Sequence, residues 1–82
     1  MTDHELRRIG KRAAAAVQAA IAPLLKTLRV DGVLEISVEA EAEIQRRAQG
    51  AVDFQWPGRF EVTCSMNDSE LDLIMKPRKV VH

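Results

Sequence analysis

Cysteine, histidine, glycine and aromatic residues are all scarce in this chain of 82 residues, and each scarcity excludes a kind of chemistry. The one cysteine, Cys64, rules out an internal disulfide and leaves no thiol pair for a metal. It falls in phase with the apolar residues around it and reads as a buried, inert thiol, compatible with a reducing cytoplasm. The only histidines, His4 and His82, lie near the two ends, so no ligand cluster forms and no base stands beside Cys64 in the sequence. Four scattered glycines make no phosphate-cradling loop. Carboxylates are plentiful, but they stand in regular exposed rows where nothing raises their pKa. The expectation is a non-enzymatic protein with no catalytic residue, cofactor or metal.

Long apolar runs are also missing. The stretch AAAAVQAAIAPLL after RRIGKR is too short to span a bilayer, so no membrane partner is expected. It has the outline of a secretory leader, with Ala20-Ile21-Ala22 as a cleavage pattern. Asp3 and Glu5 in the basic part, Gln18 in the apolar part and Pro23 after the would-be cut argue against that. A cytoplasmic location is the expectation.

What is present is an ordinary globular balance: 46% hydrophobic and 29% charged residues, enough to expect one folded domain over 1–82. A chain this small has a thin core, which makes stabilisation by a second copy a reasonable expectation.

The pattern that dominates is LEISVEAEAEIQ, Leu34 to Gln45. Ile36, Val38, Ala40, Ala42 and Ile44 alternate with Glu35, Ser37, Glu39, Glu41, Glu43 and Gln45, the period of a strand with one apolar and one acidic face. Helix propensity argues the other way, with Ser37 as an N-cap and a helix from Val38 to Gln49. At about 100° per residue, Val38, Ala40, Ala42 and Ile44 scatter around a helix, so the strand is preferred.

Around it the chain divides at its turn signals. Leu6, Ile9, Ala13, Val17, Ala20, Leu24 and Leu28 repeat at three and four, predicting an amphipathic helix over about 3–28 that Pro23 kinks or ends early. Asp31-Gly32 and Trp56-Pro57-Gly58-Arg59 are turns, the second of type II. Strands are expected at about 33–46, 51–56, 59–66 and 70–76, followed by a loose basic tail, 77–82. The predicted fold is α+β: one long N-terminal helix packed on a three- to four-stranded antiparallel meander. Val38, Phe54 and Trp56 would then lie on the helix-facing side.

Formal net charge is zero, but the charges are segregated: +4 over residues 1–30, −7 over 31–75 and +3 over 76–82. On the predicted sheet, Glu35, Glu39, Glu41, Glu43, Asp53, Glu61, Glu70 and Asp72 share the outer face. The expected function is a protein-interaction module, a regulator or inhibitor of the kind phages also use. This acidic sheet face would bind a basic protein surface, with Trp56 as a further anchor. The alternative is a nucleic-acid-binding accessory protein that uses Arg7, Arg8, Lys11 and Arg12 with Lys76, Arg78 and Lys79. Three aromatics, Phe54, Trp56 and Phe60, make little provision for base stacking. A homodimer is expected through the sheet edge or through Ala14, Ile21 and Leu25 of the helix.

Overall fold

Thr2 caps the first helix: its hydroxyl accepts the Glu5 N–H at 3.2 Å, and Asp3 and Glu5 sit at the helix's positive end. In this computed structural model, which describes residues 2–67 and 70–78, helix α1 runs Asp3–Leu28. Pro23 lies inside α1 and does not end it. Ile21 is fully buried just before it, and Leu24, Leu25 and Leu28 pack on the core after it. Packing on both sides of Pro23 outweighs its missing N–H.

Asp31 and Gly32 both have positive φ, 51° and 78°, as a two-residue hairpin turn of type I′ requires. They join β1 (Arg29–Val30) to β2 (Val33–Leu34), and the Glu35 N–H reaches back to the Leu28 carbonyl at 3.2 Å. The chain is thereby returned along α1.

The next element corrects the preferred reading. The Ser37 hydroxyl accepts the Ala40 N–H at 3.1 Å and opens helix α2, Val38–Gln55. The strands expected at 33–46 and 51–56 are absent, apart from the two residues of β2. Their place is taken by the competing helix, which runs on past Gln49 to Gln55. Its buried stripe is Ala40, Ile44, Ala48 and Val52, a spacing of four that begins inside the alternating stretch and continues beyond it. Val38, Ala42 and Phe54, expected on the core side, are exposed.

Trp56 closes α2, and Pro57-Gly58 turns the chain as expected: the Arg59 N–H reaches the Trp56 carbonyl at 3.1 Å, with Gly58 at φ 69°. β3 (Phe60–Asn67) and β4 (Glu70–Pro77) then form an antiparallel hairpin with Phe60 opposite Pro77 and Asn67 opposite Glu70. Among the described residues the architecture is α+β, two helices with antiparallel hairpins β1–β2 and β3–β4, where one helix on a meander was expected.

The core is shared by both helices and the hairpin. Ala13, Val17 and Ile21 of α1 meet Ile44, Ala48 and Val52 of α2 and Phe60, Val62 and Cys64 of β3. Leu71, Leu73 and Met75 of β4 are half-buried at its margin. The molecule is elongated, 47 × 26 × 19 Å, in keeping with the ~39 Å expected of a 26-residue helix.

Candidate functional site

Two glutamines one helical turn apart on α2 organise the hairpin. The Gln49 amide oxygen accepts the Val62 N–H at 2.9 Å, and its nitrogen donates to the Phe60 carbonyl at 3.0 Å. Gln45 repeats the pattern one pleat further on: it accepts the Cys64 N–H at 2.8 Å and donates to the Val62 carbonyl. Gln49 also donates to Asp53 at 3.1 Å; a carboxylate can only accept, so this contact fixes which way the amide faces. Side chains at i and i+4 on a helix stand about 6 Å apart along its axis, close to the ~7 Å between alternate residues of a strand. The helix face thus substitutes for a neighbouring strand and satisfies the outer edge of β3.

The same bonds settle the direction of the main chain on β4. Val62 and Cys64 turn their N–H and C=O groups toward α2, so their pairs with Met75 and Leu73 are the non-hydrogen-bonded ones of the ladder. Leu71, Leu73 and Met75 therefore turn theirs to the opposite side. Among the described residues no hydrogen bond reaches that edge. Pro77, which has no N–H, ends it.

The outer face of the hairpin carries Glu61, Thr63, Ser65, Asp72, Ile74 and Lys76. Glu61 stands opposite Lys76, and Ser65 opposite Asp72. Ile74 occupies a position that alternation reserves for a polar residue and is 55% exposed. An open groove of about 670 Å³ lies between α2 and the hairpin, with Gln45, Gln49, Glu61, Lys76 and Arg78 on its walls. Its two amides are already committed to β3.

Of the acids expected on one sheet face, Glu61, Glu70 and Asp72 lie on strands, and Asp53 lies on α2. Glu35 is in the loop before α2, Glu39 and Glu41 are exposed in its first turn, and Glu43 lies further along, salt-bridged to Arg46 and Arg47. Their rotation around α2 disperses what alternation would have gathered, so the acidic sheet platform does not form. The Arg47 hydrogen bond, with the charges of Arg46 and Arg47, holds the Glu43 carboxyl below its ordinary 4.5 against the opposing effect of desolvation. Burial, and secondarily the negative charge of Asp72, pushes the Cys64 thiol above its ordinary 9.0. Such a thiol is neutral and unreactive at neutral pH.

Trp56 is half-buried, its ring edge-on to Phe60 with centroids 5.8 Å apart and the Arg12 guanidinium 5.8 Å above it. This stack brings basic groups together. Arg12 reaches the end of the molecule where Phe60 faces Pro77 and the Arg78 N–H bonds the Arg59 carbonyl at 2.9 Å. Arg7, Arg8 and Lys11 are exposed on the same N-terminal half of α1 as Arg12, and Arg59, Lys76 and Arg78 are exposed where β3 begins and β4 ends. Lys79 lies outside the described residues. Ile21, expected as spare dimer surface, is wholly buried, and Ala14 and Leu25 are half-buried.

No group of three or more potential ligands fit to hold a metal occurs among the described residues, and no helix there is long and apolar enough to cross a membrane. Comparison with known proteins yields no match to a family model, to a curated protein or to a solved structure.

Proposed function

We propose that the chain is a small non-enzymatic protein-interaction module, of regulator or inhibitor type, that docks by adding a strand to the open edge of β4. The observation that carries this reading is the inequality of the hairpin's two edges. One edge is satisfied throughout its middle by Gln45 and Gln49, while the other offers the main chain of Leu71, Leu73 and Met75 without a partner among the described residues. Strand addition draws its affinity from such main-chain groups and its specificity from the side chains that alternate between them. Apolar residues flank this edge on both faces, Leu73 and Met75 inside and Ile74 outside.

Proline scanning tests it. Leu73→Pro removes a donor that points away from β3, whereas Ile74→Pro removes one that the ladder uses. With a photo-crosslinking residue in place of Arg78, the unsubstituted edge should capture a protein segment and the Leu73→Pro edge should not. Equal capture by both, with the fold intact by circular dichroism, removes strand addition.

A second reading, nucleic-acid binding, is favoured by the contact of Arg12 with Trp56, which sets the basic half of α1 near the strand ends that carry Arg59 and Arg78. Phosphates would be held there by charge, so affinity for a single-stranded or duplex oligonucleotide should fall steeply with salt. Absence of binding at low salt eliminates it.

A further inference from the structure

From the arrangement of β4 we infer that the strand it accepts is β4 of a second copy, paired antiparallel about a twofold axis through Ile74. This rests on the reading of the open edge as a docking surface and names its occupant.

Parity restricts the register first. The outward-turned main-chain groups belong to Leu71, Leu73 and Met75, and a hydrogen-bonded antiparallel pair must join outward residues to outward residues. Centring the pair on Ile74 meets this: Leu73 faces Met75 of the second copy, and Met75 faces its Leu73. Leu71 then donates to the carbonyl of the second copy's Pro77. The missing N–H of Pro77 falls at the last rung, where it removes little.

Side chains then select among the registers that parity allows. On the outer face, centring on Ile74 sets Ile74 against Ile74 and Asp72 against Lys76 of the second copy, twice over by symmetry. Asp72 and Lys76 are exposed and neither is salt-bridged among the described residues. Centring on Leu73 instead sets Asp72 against Ile74, a carboxylate against an aliphatic chain, and moves the only opposite-charge pairs to positions 70 and 76 at the strand ends. A strand kept free of partners carries charge that repels its own copy; β4 carries opposite charges placed symmetrically about an exposed isoleucine.

Burial agrees with this register. A twofold axis normal to the sheet keeps both inner faces on one side, so the half-buried Leu71, Leu73 and Met75 of each copy adjoin those of the other and join the two cores. The product is a four-stranded sheet in place of a two-stranded hairpin. Helix α2 flanks β3, so it leaves this edge clear.

Charge reversal tests both pairing and register. Sedimentation of the full chain at low salt should show a dimer. Asp72→Lys and Lys76→Asp should each weaken self-association about tenfold, since each turns two attractive pairs into two repulsive ones. An equimolar mixture of the two variants should restore the dimer, because in the mixed pair both contacts between positions 72 and 76 again join opposite charges. Exchange of the Leu71, Leu73 and Met75 amides should slow in the dimer and in the mixture.

A chain that stays monomeric at several hundred micromolar overturns the self-pairing while leaving strand addition to be decided by the proline test. A dimer indifferent to both reversals, with those three amides exchanging freely, likewise overturns the self-pairing and leaves strand addition to the proline test. A dimer that responds to Glu70→Lys and not to Asp72→Lys overturns the register about Ile74.

Discussion

Gln49 stands to Val62 as a neighbouring strand would, accepting its N–H at 2.9 Å while donating to the Phe60 carbonyl at 3.0 Å. The relationship explains how a hairpin of two strands is held without a third. A helix cannot ordinarily hydrogen-bond a strand edge, because its own backbone groups are used internally. A carboxamide carries one donor group and one acceptor side by side, the same pair that an extended residue presents.

The first prediction follows from that geometry. Gln49→Ala leaves a part-buried N–H and a part-buried C=O of β3 without partners and should lower stability by about 1–3 kcal/mol. Gln49→Glu should be at least as harmful, since a carboxylate places negative charge against the Phe60 carbonyl and Asp53. Urea denaturation measures both. A loss below about 0.5 kcal/mol for either substitution contradicts the edge-sealing role.

Stability should depend on pH at both extremes, with signs fixed by Glu43 and Cys64. The Glu43 carboxyl has a lower pKa folded than unfolded, so its contribution is present above 4.5 and is lost as pH falls through the folded value. Cys64 has a higher pKa folded than unfolded, so its effect is absent below 9.0. Stability then declines as pH rises from 9.0 toward the folded value, because the unfolded thiol ionises first. Cys64→Ser would leave a buried hydroxyl in the core, so Cys64→Ala is the better comparison. Thermal unfolding between about pH 8 and pH 10, the range that brackets an ordinary thiol, should be flatter for Cys64→Ala than for the unsubstituted chain.

Arg12 and Trp56 supply an optical probe of the basic end. An exposed cation over an indole ring contributes about 0.5–1 kcal/mol, so Arg12→Ala should lower stability by that order and alter the emission of the single tryptophan. A polyanion that engages the basic end should likewise change Trp56 emission in the unsubstituted chain, and less in Arg12→Ala. Titration with an oligonucleotide at low salt reads both effects.

Legibility from sequence varied with how much of each pattern was local. Helix α1, the Asp31-Gly32 and Pro57-Gly58 turns, and the two strands of the hairpin each announce themselves within a few residues. The stretch 34–55 misled because its alternation is made largely of small or solvent-tolerant positions. Val38 is 81% exposed, and Ala42 is exposed as well, so neither reports a buried face. The informative residues were Ala40, Ile44, Ala48 and Val52, a stripe that shows only when the window extends past Gln45. Ser37, two early acids and a run of strong helix formers were the correct local signals. The functions of Gln45 and Gln49 were not legible, since a polar residue next to a buried stripe usually faces water. Their position at i and i+4 beside Ile44 and Ala48 was the available hint.

The assignment of 38–55 as helix makes a sharp final prediction, because strand and helix disagree about which apolar residues are inside. On a strand, Val38, Ala42, Ile44, Val52 and Phe54 would all face the core, and a charge at any of them would unfold the chain. On α2 they separate: Phe54 is 88% exposed and Val38 81%, whereas Ala48, which the strand reading left between two strands, is fully buried. Phe54→Lys and Val38→Lys should therefore change stability by no more than about 0.5 kcal/mol, and Phe54→Lys should improve solubility by removing an exposed ring. Ala48→Lys should abolish folding, since neither space nor a partner exists for a charge among Val17, Ile44 and Val52. Ile44→Ala, a milder probe of the same stripe, should lower stability by about 2–5 kcal/mol. Circular dichroism with urea titration separates the outcomes. Tolerance of Ala48→Lys together with unfolding by Phe54→Lys would return this segment to the sheet.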